Sequence, residues 1–384
     1  MITKWIGNLN VAFIGASVDD PRYDNLPPNW EERLYQRIYY DPDPSTGVDR
    51  SLRTYISTIS LGKAYFDARV FGPVTVSPCN TGEAINGVPT SHLYDVACVV
   101  FPGGTHHCGG MAVLRGDPFP YFDPPRSSNR LLGWCRFRIE DSLGIWAMEF
   151  LHAATGFDDL YKTESHPGTF DEMACSCGTH PSSFTKWKLG WLDDSAIETV
   201  GWTELPFGLH FPTLGHYYAL YALSLPQPVP PGYVTAVRIP TSNAKHYFLV
   251  EARLRTDQYE RETTNVSNGI PGEGVVIYEV NEAVWAPMKL RTEPTLSVGA
   301  SYSNPAARIT VYVETTLPGG FVVIIVSHEM LQQEIQDKEQ DIAALQRQIV
   351  LHGDSGLIRD MISEKQDDIR LLKEQVVANG WDGL

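Results

Sequence analysis

The run LGIWAMEFLHAA at residues 143–154 decides how the rest of the chain is interpreted. It is mostly apolar and of helical length, which predicts a core helix. Residues four apart share one face of a helix, and this spacing lets two imidazoles bind one zinc ion, with a glutamate after the first. Here Glu149 and His152 are present, but Met148 stands in the first ligand position. Taken alone, these residues also suit an ordinary buried helix.

Working outward from this helix, several short segments follow a fixed order. They are YISTISLGK at residues 55–63, GFDDLY at 156–161, FDEM at 170–173, HPSSFTKWKLGWL at 180–192, YFLVEAR at 247–253 and GEGVVIYEV at 272–280.

This order resembles the immune-inhibitor-A and gametolysin-like metallopeptidases. In that family the zinc helix leads into a Gly/Asp-Leu-Tyr turn, an Asp-x-Met segment and a Lys-x-x-Leu-Gly-Trp motif. The resemblance spans roughly residues 8–326. It implies an α+β fold with a zincin-like metallopeptidase domain over residues 1–195.

The resemblance also implies roles for individual residues. Glu149 would be the general base that takes a proton from zinc-bound water, and His152 would be the second zinc ligand. Asp158 or Asp159 would be the third ligand, and Met173 would pack beneath the metal as in a Met-turn.

Two departures from the family pattern predict a damaged site. Met148 offers a thioether, a soft ligand that suits Cu(I) better than Zn(II). The loop from His152 to Gly156 is one residue longer than the family spacing. Zinc is therefore expected to be absent or weakly bound, although His106 and His107 could supply an auxiliary imidazole. The structural alternative for that pair is an ordinary loop.

Short strand-like runs separated by Pro and Gly recur from residue 196 onward, and these favour a β-sandwich-like domain over residues 196–327. The predicted strands cover residues 217–225, 233–239, 246–253, 274–280, 308–314 and 321–326, with a hairpin loop at 318–320.

The C-terminal region, residues 328–384, changes to a heptad pattern. Apolar residues repeat at 4–3 spacing, with a lysine in the third position of each half, at Lys338 and Lys365. We expect an antiparallel coiled-coil hairpin over residues 328–378 that self-associates or docks to a partner. One long kinked helix is the alternative, and glycines between the halves disfavour it.

Composition restricts the function classes. A net charge of −16 argues against nucleic-acid binding, which needs clustered Lys and Arg. No run is long and apolar enough to predict a membrane span. The first residues lack a secretory leader, which predicts a cytoplasmic location or export by a non-standard route. The six cysteines are sparse, so we expect buried or free thiols, with one or two disulfides or a metal site as alternatives.

The sequence thus predicts a catalytically inactive metallopeptidase-like protein that binds a protein or peptide partner. An active metal-dependent endopeptidase with an atypical ligand set is the alternative. A structural component of a larger assembly, connected or homo-oligomerised through residues 328–378, is a further possibility that overlaps the first.

Overall fold

The computed structural model describes residues 2–20, 22–44, 46–103, 108–113, 131–162, 165–200, 216–241, 243–263, 267–284, 287–352, 356–379 and 381. Within these ranges helices combine with separate mixed and mainly antiparallel sheets, as the predicted α+β class requires. The domain boundaries proposed at residues 195/196 and 327/328 stay predictions.

The N-terminal half is built on a mixed five-stranded sheet. Its strand order is β2-β1-β3-β5-β4, all parallel except for β4, which runs antiparallel to β5 at one edge. The elements of this half are β1 (Gly7–Val18), α1 (Trp30–Tyr39), α2 (Leu52–Ile59), β2 (Ala64–Val76), α3 (Thr81–Gly87), β3 (Val96–Phe101), β4 (Met111–Val113), β5 (Gly133–Arg138), α4 (Leu143–Thr155), α5 (Glu172–Cys175) and α6 (Ser183–Lys188).

Strand β3 shows how this sheet is covered on both faces. All six of its residues are buried, as expected for a central parallel strand. Because side chains alternate, Cys98 and Val100 face a cluster with α1, α2 and α4, whereas Val99 and Phe101 face a second cluster with α3. Helix α4 therefore lies against one face of the sheet, in the main hydrophobic core.

The following region is rich in strands. Its elements are β6 (Ile197–Thr199), β7 (His216–Tyr221), β8 (Tyr233–Val234), β9 (Ala236–Pro240), β10 (His246–Arg253), β11 (Glu262–Thr263), β12 (Ser267–Asn268), β13 (Gly274–Asn281), β14 (Met288–Leu290), β15 (Ser301–Asn304), β16 (Ile309–Leu317) and β17 (Gly320–Ser327). They form a second sheet of order β14-β13-β10-β9-β6, a third of order β15-β16-β17-β7-β8, and the pair β11-β12. Every predicted strand run overlaps one of these strands.

Strand β10 connects the layers of the molecule. Phe248 and Val250 face the third sheet and share a hydrophobic cluster with it. Tyr247 and Leu249 point the other way, into the cluster that contains α4. The second sheet thus packs between the third sheet and the N-terminal half.

Two long helices end the described chain, α7 (His328–His352) and α8 (Gly356–Ala378). Lys338 Nζ lies 2.7 Å from Asp368, and Lys365 Nζ lies 2.6 Å from Asp341. These cross-helix pairs place α7 and α8 side by side and antiparallel. Neither they nor any other helix in the described ranges combines the length and apolar character needed to cross a membrane.

The base and the tip of this helix pair differ in burial. At the base, α7 and α8 cover Ile324 and Val326 on the outer face of β17. At the tip, Val350 is 85% exposed, Leu351 74% and Leu357 71%. Apolar side chains therefore lie exposed at the far end of the pair.

The expectation of free thiols is wrong for four cysteines. Cys79 is bonded to Cys108, although 29 residues separate them, because the end of β2 comes close to the segment before β4. Cys175 is bonded to Cys177, because the left-handed backbone at Ser176 folds the chain back. The expectation holds for Cys98 and Cys135, which are buried thiols.

Candidate functional site

Helix α4 carries the candidate site, and local sequence sets its ends. Ser142 caps the N-terminus by accepting a hydrogen bond from the Ile145 amide at 3.4 Å. Gly156 ends the helix in the left-handed region, at φ 70°. The helix between them is almost entirely buried, which matches its apolar sequence on all sides.

His152 is buried and bonded at both ring nitrogens. Its Nδ1 donates to the Phe157 carbonyl oxygen at 2.5 Å, and its Nε2 lies 2.9 Å from Oδ1 of Asp159. Burial alone would lower the pKa of His152, but the bonds to Asp159 and Phe157 raise it above the ordinary value. The imidazole is therefore held by hydrogen bonds at both ring nitrogens, beside a carboxylate that favours its protonated form.

Of the two candidate carboxylates, only Asp159 meets the histidine. Burial raises its pKa, yet the bonds from His152 and the Tyr161 hydroxyl lower it overall. Asp158 instead accepts from its neighbour's amide at 2.8 Å and lies 3.4 Å from Lys162. The sequence offered Asp158 and Asp159 as equal candidates for the third ligand. The conformation of the turn after α4 brings Asp159 to His152.

Glu149 lies on α4 beside the antiparallel edge of the sheet. A Cβ added at Gly110 would approach its Oε1 to 2.8 Å, so the segment before β4 passes directly over the carboxylate. Burial, with Asp159 and Asp141 nearby, raises the pKa of Glu149 to about 7. A carboxyl group with this pKa can exchange a proton near neutral pH.

Met148 occupies the first ligand position of the motif and is 4% exposed. It belongs to the apolar cluster that α4 shares with the sheet. Met173, predicted to lie beneath a metal, is fully buried in the same cluster, and its carbonyl accepts from the Leu160 amide at 2.8 Å. This bond ties α5 to the turn that carries Asp159.

Within the described residues, no group of three or more His, Cys, Asp or Glu side chains is arranged to hold a metal ion. The proposed auxiliary residues, His106 and His107, lie outside the described residues.

A second polar cluster, which sequence reasoning missed, lies buried where the N-terminal half meets β10. Arg253 is at its centre, fully buried, with Nη1 2.6 Å from the Phe170 carbonyl oxygen and 3.0 Å from Glu251. Its Nη2 donates to Glu260 at 2.6 Å and to the His180 carbonyl oxygen at 3.2 Å. Burial would lower the pKa of Arg253, but the two glutamates raise it.

Asp171 anchors the same junction from the N-terminal side. Its Oδ2 accepts from the Ser182 hydroxyl at 2.5 Å and the Thr185 hydroxyl at 2.6 Å, and its Oδ1 accepts from the Met173 amide at 2.9 Å. These bonds fix the start of α6 against α5. The neighbouring Glu172 accepts backbone hydrogen bonds from the turn that follows α5.

His180 and Lys186 form a buried pair in this cluster. Lys186 Nζ is 2.9 Å from His180 Nδ1, and His180 Nε2 is 2.7 Å from Asp257. Burial, with the Lys186 charge, lowers the pKa of His180 to about 4, and burial with Arg253 lowers that of Lys186 to about 7. His180 is therefore neutral near pH 7, with Nδ1 accepting and Nε2 donating.

One signal could have located this cluster. Glu251 and Arg253 share a face of β10 with Tyr247 and Leu249, whose side chains are buried. Because an unpaired charge is costly to bury, Glu251 and Arg253 on this apolar face needed partners inside the protein. The partners come from distant segments, which a single sequence does not reveal.

No protein-family model matches the chain, and no curated protein matches it.

Proposed function

We propose that the chain is a catalytically inactive metallopeptidase-like protein, related to the immune-inhibitor-A and gametolysin-like peptidases, that acts by binding a protein or peptide. One observation carries this proposal. The first ligand position holds Met148, and Nε2 of the second ligand, His152, is bonded to Asp159 at 2.9 Å.

Among the residues that the structure describes, fewer donors come together than a catalytic zinc ion takes. Catalytic zinc takes three protein ligands, and here the borderline or hard donors that meet are His152 and Asp159. Both ring nitrogens of His152 face oxygen atoms, so a metal ion at Nε2 would have to replace the bond to Asp159. Met148 adds only a soft thioether. Binding, and not hydrolysis, is therefore the proposed activity.

The positions of the sequence segments support the proposed relationship. Residues 170–173, 180–192 and 247–253 are separate along the chain, and Arg253 joins them by donating to the carbonyl oxygens of Phe170 and His180. A chance likeness between unrelated segments would not require them to meet. The proposed fold is accordingly a zincin-like domain, a β-sandwich-like domain and a coiled-coil hairpin.

A peptide partner is the ligand that suits the surface beside α4. Strand β4 ends the described sheet, and its Met111 is 42% exposed. An edge strand offers unpaired backbone groups to an extended chain, which can add as a further strand. Binding at this edge would place the peptide close to Glu149.

The alternative function is an active endopeptidase with an atypical ligand set. The pKa of about 7 at Glu149 favours it, because a general base works best near the operating pH. In this alternative, a metal other than zinc or a ligand from outside the described residues would complete the site.

Elemental analysis of the purified protein, together with a casein-cleavage assay, tests the proposal. We expect clearly less than one zinc per chain and no cleavage above background. One zinc per chain, with cleavage abolished by a chelator and by Glu149→Gln, would show the protein to be an enzyme. Met148→Leu is the control: it changes a side chain on α4 but keeps Glu149, so it should behave like the wild-type protein in both assays.

A further inference from the structure

We propose that the Cys175–Cys177 disulfide is a reversible redox modification site, opened by a low-molecular-weight thiol, and that its opening loosens the first turn of α4. The Cys79–Cys108 disulfide is the internal reference, because it should stay closed under the same conditions.

The two disulfides close loops of very different size. Cys175 and Cys177 are two residues apart, whereas Cys79 and Cys108 are 29 apart. A disulfide stabilises a protein by restricting the unfolded chain, and this effect grows with the length of the closed loop. Folding therefore protects the Cys175–Cys177 disulfide against reduction less than it protects the Cys79–Cys108 disulfide.

Each of the two disulfides joins one partly exposed cysteine, Cys175 or Cys79, to one largely buried cysteine. Cys175 and Ser176 are partly exposed, and Cys177 is 9% exposed. Cys108, in the reference disulfide, is fully buried. Thiol–disulfide exchange requires an attacking thiolate to reach a sulfur atom, and Cys175 is exposed enough for this attack. The size of the closed loop, and not exposure, is what separates the two disulfides.

The exchange balances with two molecules of a small thiol. The first attacks Sγ of Cys175 as its thiolate, the Cys175–Cys177 bond breaks, and Cys177 leaves as a thiolate that takes up a proton. A mixed disulfide now joins Cys175 to the small thiol. The second thiol attacks the sulfur of the small molecule in that mixed disulfide and releases Cys175 as a thiol. Two small thiols are oxidised to one disulfide, and the protein disulfide is reduced to two thiols.

The three-residue turn has a backbone that the crosslink helps to hold. Ser176 has φ 49°, in the left-handed region, which is unfavourable for a residue other than glycine. The two residues after Ser176 are hydrogen-bonded: the Cys177 carbonyl oxygen accepts from the Asn268 amide at 2.9 Å, and the Gly178 amide donates to Glu172 at 2.7 Å. Opening the disulfide removes the covalent restraint on Ser176.

This turn is packed directly against the start of α4. A Cβ added at Gly144 would lie 2.0 Å from the Ser176 carbonyl oxygen, so the two backbones are in close contact. Any relaxation at Ser176 therefore changes the support of the first turn of α4. Glu149 and His152 lie farther along the same helix. The coupling applies whether α4 serves binding, catalysis or structure.

The test uses the full-length protein in glutathione buffers of increasing reducing strength, with alkylation of free thiols and peptide mass spectrometry. Cys175 and Cys177 should become alkylated at a ratio of reduced to oxidised glutathione at least tenfold lower than the ratio that Cys79 and Cys108 require. Amide hydrogen exchange of residues 143–147 should rise over the same range of ratios. A Cys175→Ser/Cys177→Ser variant should show the faster exchange without reductant.

A matched Cys79→Ser/Cys108→Ser variant should leave the exchange of residues 143–147 unchanged. Simultaneous opening of both disulfides in the wild-type protein would overturn the redox assignment. Selective opening with no change in exchange at residues 143–147 would overturn the coupling to α4. The wild-type measurement decides both points even if a variant does not fold.

Discussion

Nε2 of His152 lies 2.9 Å from Oδ1 of Asp159, while the adjacent Asp158 accepts a hydrogen bond from the Asp159 amide. The Phe157 carbonyl oxygen accepts from the other ring nitrogen of His152. A position that would serve as a metal ligand in the proposed family is thus used for an internal bond between the end of α4 and the turn after it. The hydrogen bond to Asp159 is the main contribution that raises the pKa of His152.

Asp159→Asn is therefore expected to lower the pKa of His152, because the bond to Asp159 is the largest contribution that raises it. Asp158→Asn is the matched control and should leave the His152 titration in place. The titration can be followed by NMR of protein carrying isotope-labelled histidine. Equal shifts in the two variants would show that general charge, and not the short bond, sets the pKa.

Met148→His is expected to increase zinc affinity at least about tenfold, equivalent to about 1.4 kcal/mol. The new imidazole would lie one turn from His152, on the same face of α4. Isothermal titration with zinc chloride measures the gain, and Met148→Leu is the control without a ligand. If Met148→His binds zinc no better than Met148→Leu, the assignment of the ligand face is wrong.

The sequence predicts the elements of this fold well where its periodicity is strong. The apolar run at residues 143–154 forms α4 with its expected ends, and YFLVEAR lies within β10 (His246–Arg253). The 4–3 spacing of the last region forms α7 and α8. In each case the pattern is local, so one sequence contains the whole signal.

What the sequence could not predict depends on distant residues meeting. The pairing of Cys79 with Cys108 follows from the path of the chain between β2 and β4, not from their spacing. The choice of Asp159 over Asp158 depends on one turn of backbone after Gly156. The partners of Arg253 come from residues 170, 180, 251 and 260.

The buried His180 is expected to make stability depend on acidity. Its pKa is about 4 in the folded chain, against an ordinary value of 6.5, so the unfolded chain binds the extra proton between these values. Its contribution to stability is full above about pH 6.5 and is lost as the pH falls towards 4, with a slope of at most about 1.4 kcal/mol per pH unit. When urea unfolding is measured from pH 7.5 to 4.5, the free energy of unfolding should fall less steeply for His180→Gln than for the wild-type protein.

His246→Gln serves as the control for this slope, since His246 is a partly exposed histidine paired with Glu279 on the outer part of β10. The comparison uses slopes, so a uniform loss of stability in either variant does not affect it. If His180→Gln shows the same slope as the wild-type protein, the acid sensitivity comes from other groups.

The lysines in the seam between α7 and α8 are expected to reduce its stability. Lys338 is paired with Asp368 and Lys365 with Asp341, in positions where apolar residues would pack. Lys338→Met and Lys365→Met should each slow amide exchange in α7 and α8, with a gain of about 0.5–1 kcal/mol. Lys373→Met, at an exposed position 3.6 Å from Glu339, should change little. Faster exchange in both seam variants would mean that the ion pairs stabilise the helices.

The tip of the helix pair is expected to mediate self-association. Removing residues 328–384 would be an ambiguous test, because it would also uncover Ile324 and Val326 on β17. Polar substitutions at the tip avoid this problem, since Val350, Leu351 and Leu357 are more than two-thirds exposed and support no described core.

Light scattering across a wide concentration range should show the wild-type protein exceeding its monomer mass of 42.8 kDa as concentration rises. The triple variant Val350→Gln/Leu351→Gln/Leu357→Gln should stay at the monomer mass, because it removes the apolar area that association would bury. Leu371→Gln, half exposed and far from the tip along α8, is the control and should associate like the wild-type protein. A monomer mass for the wild-type protein at every concentration would rule out self-association and leave docking to a foreign partner or a passive appendage as the alternatives.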